Sequence, residues 1–205
     1  MSSKSHFFKK RLILLADYQF NNNLIDDVNG YNLTGTDITY NNGNAVFNGT
    51  TSEARRTDTN DIFSFTDGTK DLPFRIELSV KFNLINEAFH FITTKRDSVN
   101  PEWQVFYQDI GKINITLFQN NTNYIQKGCN ITPNTSQNYN IIIDYDGSGI
   151  DGLNINVDGV DGDLDLVVGN YVGMTKTQTD LLIGSFDVVN RYELNGEIDY
   201  LKIYK

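Results

Sequence analysis

The sequence predicts an all-β protein, an antiparallel sandwich of two sheets. Thirteen Phe and eleven Tyr residues favour pleated surfaces. Asn, Asp and Gly concentrate in short clusters, and strand-like runs separate these clusters at the spacing typical of a sandwich. Only three prolines occur, so most strands can run uninterrupted. At 205 residues the chain is of ordinary length for a single sandwich with a substantial core.

We predict one domain over residues 12–205, preceded by a basic N-terminal arm at residues 1–11. Glycine, asparagine and aspartate turns delimit the strands. The predicted strands are, in chain order, Arg11–Phe20, Ala45–Phe47, Arg75–Phe82, Phe89–Thr94, Gln104–Gln108, Lys112–Phe118, Asn123–Lys127, Asn138–Tyr145, Gly152–Val157, Leu181–Phe186 and Gly196–Tyr204.

Three local patterns add detail to this prediction. Apolar and polar residues alternate over Arg75–Phe82 (RIELSVKF), which indicates a half-buried strand. Ile141 to Ile143 is continuously apolar and is typical of a strand covered on both faces. The segment Asp58 to Ser64 is the one place where we expect a helical turn.

The last predicted strand places an acidic residue among apolar neighbours. Simple alternation puts Asp199 on the same face as Leu201 and Ile203. An inward carboxylate loses hydration, so we expect a cation, an arginine or backbone N–H groups to meet it.

Several motifs in order carry a family resemblance over about residues 12–205. The closing strand GEIDYLKIY resembles the "G-x-I-D-x-V-x-I-Y" strand of laminin-G-like, concanavalin A-like jelly-roll domains. Four further segments match that family's pattern at the expected places. They are LLADYQF with DDVNG at residues 14–30, GNAVFNG at residues 43–49, IIIDYDG with LNINVDG at residues 141–159, and LIGS at residues 182–185.

The resemblance implies a concanavalin A-like jelly roll, and it also implies a calcium site. By position, the ion would be held by Asp199, with backbone carbonyls near Asp17 and Gly49. Oxygen ligands suit calcium. The alternative is that Asp199 only accepts backbone hydrogen bonds at a strand end.

A sheet face in this fold can serve as a glycan platform, because aromatic rings can stack on sugars. The ordinary alternative for each aromatic residue is packing in the core or at its rim. The candidates on strands are Trp103, Tyr107 and Phe118, and those in loops are Tyr124, Tyr171 and Tyr192.

The sequence argues against catalysis. Retaining glucanases of this fold carry the motif E-x-D-x-x-E, whose carboxylates stand roughly 5 Å apart, and this motif is absent. Asp144 and Asp146 would share a strand face, but their match to the family's "Y-D-G" turn favours a structural role. His90 is expected to be a single surface histidine. We therefore predict that the chain is not an enzyme.

Charge and targeting signals limit the partners. A net charge of −9 disfavours nucleic-acid binding, because phosphate attraction requires a basic face. Cys129 is the sole cysteine, so no internal disulfide can form. We recognise no signal peptide, and no apolar run reaches transmembrane length.

These observations favour a non-catalytic recognition or structural module that binds a glycan or a neighbouring surface protein. A bacteriophage virion component, such as a capsid decoration, head fibre or tail adhesin, suits the sequence, either in a homo-oligomer or alone. Location on a virion or an extracellular surface is expected. Two alternatives stay open: a glycan hydrolase or lyase with an acidic pair, and a purely architectural virion protein without a glycan ligand.

Overall fold

The structure, a computed structural model, describes residues 12–85, 87–186 and 192–205. The predicted basic arm at residues 1–11 lies outside this range. The described strands, numbered in chain order, are β1 Leu14–Tyr18, β2 Thr34–Thr36, β3 Thr39–Asn41, β4 Asn44–Asn48, β5 Glu53–Arg56, β6 Phe74–Phe82, β7 Phe89–Arg96, β8 Pro101–Gln108, β9 Lys112–Asn120, β10 Asn123–Asn130, β11 Tyr139–Tyr145, β12 Leu153–Val157, β13 Val160–Asp161, β14 Leu164–Val168, β15 Leu181–Ile183 and β16 Asn195–Tyr204.

These strands form two antiparallel sheets that enclose one large apolar core, so the predicted all-β jelly-roll sandwich is confirmed. The first sheet has the order β13-β12-β11-β6-β16-β4-β3, with β1 also paired to β16. The second sheet has the order β14-β10-β9-β8-β7-β15-β5-β2. Among the described residues we find no helix that could span a membrane.

The prediction of a helical turn within Asp58–Ser64 is wrong. The segment forms non-helical turns, and the Asp58 carboxylate accepts hydrogen bonds from the backbone N–H groups of Ile62 and Phe63 at 2.7 and 3.1 Å. A short polar side chain that satisfies the backbone in this way competes with helix formation. One 3₁₀ turn occurs elsewhere in the described chain, at Ile150–Gly152.

The core follows the alternation that the sequence predicts for β6. Ile76, Leu78, Val80 and Phe82 are buried, as expected for the inward face. The prediction that Ile141 to Ile143 is covered on both faces is wrong. In β11, Ile142 points outward and is 37% exposed, so the described part of the chain leaves the outer side of the first sheet open there.

Strand β16 lies in the middle of the first sheet, and its partner strands change along its length. On one side it pairs with β6 throughout; on the other it pairs with β4 over Asn195 to Ile198 and with β1 over Leu201 to Tyr204. A β-bulge interrupts the register with β6 between Ile198 and Tyr200. The extra residue is Asp199, at the point where the neighbour changes.

This bulge corrects the predicted facing of Asp199. A bulge inserts one residue and reverses the alternation beyond it. Ile198, Leu201 and Ile203 therefore all face the core, and Asp199 is exposed to solvent. The opening strand β1 pairs antiparallel with this closing strand.

Candidate functional site

The outer face of the second sheet is shaped by two bulges. In β7, Phe91 pairs with Phe106 and Thr93 with Val105, so Ile92 is an extra residue that enters the core. A second irregularity lies between Lys95 and Arg96 and leaves Glu102 as the extra residue on β8. Bulges re-aim the side chains of a strand. Here they turn Glu102 inward and leave Arg96 over the outer face.

A row of hydrogen-bonding side chains crosses this outer face, and we call it the amide strip. The cross-strand register aligns its residues on neighbouring strands. The side chain of Thr116 donates to Oε1 of Gln126 at 3.0 Å, and Nε2 of Gln126 donates to Oδ1 of Asn114 at 3.3 Å. The members of the strip are Gln104, Asn114, Thr116 and Gln126.

Gln126 is the accessible member of the amide strip, because Gln104, Asn114 and Thr116 are buried beneath the face. Nδ2 of Asn114 is buried and has no hydrogen-bond partner. A buried donor without a partner is uncommon and costs stability. A Cβ atom on Gly128, the residue opposite Asn114, would lie 2.5 Å from Oδ1 of Asn114, so a larger residue there would displace the Asn114 amide.

Aromatic side chains flank the amide strip. On one side, Phe118 and Tyr124 pack with ring centroids 5.4 Å apart. On the other, five rings form a cluster that is separate from the main core: Phe89, Phe91, Phe106, Phe186 and Tyr192.

Arg96 connects the two aromatic groups with the strip. Its guanidinium lies 4.8 Å from the ring centroid of Phe118 and 4.4 Å from that of Phe186. Nη1 of Arg96 donates to Oε1 of Gln104 at 2.7 Å. Stacking on two rings and a hydrogen bond to the strip fix the orientation of the guanidinium group.

A cavity of about 270 Å³ opens beside Arg96 at the same face. Acidic side chains offset the positive charge of Arg55 at this cavity, because Arg55 is paired with Glu53 at 2.6 Å and with Asp180 at 3.0 Å. This volume lies just below the usual range of ligand pockets, and it suits one small polar group. Among its lining residues are Arg55, Arg96, Asp97, Gln178, Asp180 and Leu182.

Two of the predicted ligand-binding residues lie in the core. Trp103 is fully buried, stacks on Phe65, and donates its indole N–H to the carbonyl of Phe63 at 3.0 Å. Tyr107 is also fully buried and packs against Phe82. Inward alternation on β8 places both rings between the sheets, so neither ring can contact a ligand in this structure.

The other four predicted residues have different surroundings. Phe118, Tyr124 and Tyr192 lie on the outer face described above, and they stay candidates for ligand contact. Tyr171 does not share that setting. Its hydroxyl donates to Oδ2 of Asp71 at 2.6 Å, which points to a structural role.

The three predicted calcium ligands do not converge. Asp17 lies opposite Lys202 and forms an ion pair with it at 3.1 Å, whereas the N–H of Gly49 bonds to the carbonyl of Leu194. Leu194 directly precedes β16 and Lys202 lies within it, eight positions further on, which is roughly 26 Å at the rise of an extended chain. Asp199 is exposed between them. These residues therefore cannot form one site, and calcium binding stays a prediction without a defined set of ligands.

The residues weighed for catalysis have structural partners. The Asp144 carboxylate binds the Arg75 guanidinium through two contacts, at 2.6 and 2.9 Å. The prediction of a surface position for His90 is wrong. His90 is fully buried between Phe82 and Tyr107, and burial lowers its pKa.

Sequence reasoning missed the amide strip and Arg96. The strand signal was present, because Asn114, Thr116 and Phe118 alternate with the inward residues of β9. Their meeting with Gln104, Gln126 and Arg96 depends on cross-strand register and on a bulge. Neither is visible in a single strand's sequence.

No family model matches the sequence, and no curated relative is detected. Solved structures do match its fold. Domain 4 of AbnA, an extracellular GH43 arabinanase from Geobacillus stearothermophilus, solved in complex with arabinotriose, matches with a TM-score of 0.64 at 18% identity, covering 95% of this chain and 93% of that one.

Binding domains of botulinum neurotoxins match as well. The serotype D binding domain has a TM-score of 0.67 at 14% identity, covering 93% of this chain and 47% of that one. A type C structure, described as showing that cell entry depends on two ganglioside molecules, has a TM-score of 0.63 at 15% identity and covers 94% and 47%. This chain thus spans about half the length of the neurotoxin domains. The shared feature is the β-sandwich fold.

Proposed function

We propose that this chain is a non-catalytic glycan-binding module that uses the outer face of its second sheet. The observation that carries the proposal is the amide strip between two aromatic groups, with an oriented Arg96 beside it. Amide groups can donate to and accept from sugar hydroxyls, and aromatic rings cover the apolar faces of sugars. The fold shared with an arabinanase domain solved with arabinotriose supports the same conclusion.

The charge distribution favours a neutral glycan. The arginines beside the cavity are accompanied by acidic groups, since Arg55 is paired with Glu53 and Asp180, and Asp97 also lines the cavity. A strongly anionic ligand would meet these carboxylates. A neutral oligosaccharide avoids that repulsion and can still hydrogen-bond to the accessible amide of Gln126.

The test is calorimetric titration of the protein with arabinotriose and with a panel of neutral and acidic oligosaccharides. We expect binding of a neutral member, and we expect Gln126→Ala to weaken it about tenfold, the loss of roughly one hydrogen bond. The matched control is Asn154→Ala, because Asn154 lies on β12 of the other sheet. Equal affinity of the two variants for the glycan would show that the outer face of the second sheet is not the binding surface.

Catalysis is tested in the same samples by assaying for newly released reducing ends. The proposal expects binding without turnover. Turnover that Asp144→Asn abolishes would instead support a glycan-degrading enzyme. We also propose that the protein acts on a virion or another extracellular surface and that it assembles into a homo-oligomer. Mass spectrometry of purified particles tests the proposed location.

A further inference from the structure

A lysine and two carboxylates are buried together at one end of the sandwich. Nζ of Lys95 lies 2.9 Å from Oδ2 of Asp58 and 3.9 Å from Oε2 of Glu102. The side chains of all three are at most 1% exposed. They come from β7, from the loop between β5 and β6, and from the bulge of β8. Fully buried charges are rare and costly, so this cluster calls for an explanation.

The backbone orients the two groups that are in contact. The carbonyls of Thr177 and Thr179 accept hydrogen bonds from Nζ of Lys95 at 3.1 and 2.8 Å. Oδ1 of Asp58 accepts the N–H of Ile62 at 2.7 Å. An N–H directed at a carboxyl oxygen stabilises negative charge that develops there during attack on the carbon. The amine and the carboxyl group are thus held at reactive distance in a site without solvent.

We propose that Lys95 and Asp58 condense in the folded chain to form an internal amide bond, with Glu102 as the proton carrier. Glu102 takes one proton from the Lys95 ammonium, and Nζ, now with a free lone pair, attacks Cγ of Asp58. The Nζ–Cγ bond forms, the Cγ–Oδ2 bond breaks, and Glu102 returns its proton to the departing Oδ2. One ammonium hydrogen stays on the amide nitrogen, and the other two leave with the oxygen as water. The positive and negative charges cancel, so the reaction needs no oxidant, metal or further reactant.

Glu102 is placed to move the proton. Its carboxyl group accepts hydrogen bonds from the Ser64 hydroxyl at 3.0 Å and from the backbone N–H groups of Phe65 and Thr177 at 3.0 and 3.2 Å. Burial nevertheless outweighs these contacts and the nearby Lys95, and it raises the pKa of Glu102 to about 7. A carboxyl group with that pKa both accepts and releases protons at neutral pH.

Intact and peptide mass spectrometry test the proposal. We expect the denatured protein to be lighter than its sequence by one water molecule. Trypsin should leave a branched peptide that joins residues 57–70 to residues 82–96, because an acylated Lys95 is no longer cleaved. Unmodified peptides 57–70 and 82–95 from folded wild-type protein would overturn the proposal.

Variants separate the chemistry from the packing. Glu102→Gln keeps the size of the side chain and should give a folded protein of full sequence mass. Lys95→Arg should likewise show no loss of water. The control is Lys176→Arg, because Lys176 pairs with Asp61 at 3.1 Å but is 42% exposed, so its ammonium stays hydrated. This control should retain the branched peptide, and loss of water in Glu102→Gln would refute the role given to Glu102.

Discussion

At the scale of single residues, Gly184 shows how tightly the two sheets meet. Its φ is +76°, and a Cβ atom there would lie 2.0 Å from Cδ1 of Phe47 in the core. Alanine would combine an unfavourable backbone with a displaced ring. We expect Gly184→Ala to lower the free energy of unfolding by about 2–5 kcal/mol, measured by urea denaturation.

Gly159 provides the matched control, since it has a φ of +86° but no atom within 4 Å of the place that a Cβ would occupy. Gly159→Ala should cost only the backbone strain, about 1–2 kcal/mol. Equal losses in the two variants would mean that the Phe47 contact contributes nothing.

Asp26 is a second residue whose role is local and testable. Its carboxylate accepts four backbone N–H groups, those of Asp17, Val28, Asn29 and Tyr31, at 2.8 to 3.1 Å. Burial opposes ionisation, but these four hydrogen bonds prevail and lower the pKa of Asp26. The unfolded chain therefore binds the proton more readily than the folded one. The stabilisation is complete above about pH 4, the unfolded pKa, and is lost as the pH falls through the lower folded pKa.

Asp26→Asn keeps the shape of the side chain but removes the charge and one acceptor oxygen. At pH 7 we expect a loss of about 2–3 kcal/mol in the free energy of unfolding, as for hydrogen bonds to charged groups. Urea denaturation at pH 7 and at pH 3 provides the measurement. The difference from wild type should shrink at pH 3, and an undiminished difference would contradict the role of the charge.

At the scale of elements, the sequence predicts every described strand of seven or more residues and misses five of the shorter ones. β6 alternates over nine residues, so its period is readable. β2 and β3 have three residues each, too few to show a period, and β14 is an edge strand in which no apolar residue is buried.

Bulges explain why the site was harder to predict than the fold. The bulge at Asp199 reverses the facing that alternation assigns, and the irregularity beside Arg96 places that side chain over Phe118. A bulge depends on which strands become neighbours. The identity of the neighbouring strands is non-local information, which the sequence of one strand does not contain. For this reason, some of the predicted aromatic residues lie in the core and others on the outer face.

At the scale of the whole molecule, the last strand of the chain occupies the centre of a sheet. β16 pairs with β1, β4 and β6, and it buries Ile198, Leu201 and Ile203 almost completely. Full burial of three such side chains contributes roughly 5–9 kcal/mol, comparable with the whole stability of a domain. The other strands of the first sheet therefore cannot close into a stable sandwich before β16 is in place.

We expect a chain that ends before Tyr192 to lack a cooperative unfolding transition by circular dichroism. A synthetic peptide of residues 192–205 added in trans should restore it, because the peptide supplies both hydrogen-bonded edges and the missing core residues. A peptide with Ser in place of Ile198, Leu201 and Ile203 keeps the backbone pairing but removes the core contacts, so it should fail. A cooperative transition in the truncated chain alone would show that the sandwich does not depend on its central closing strand.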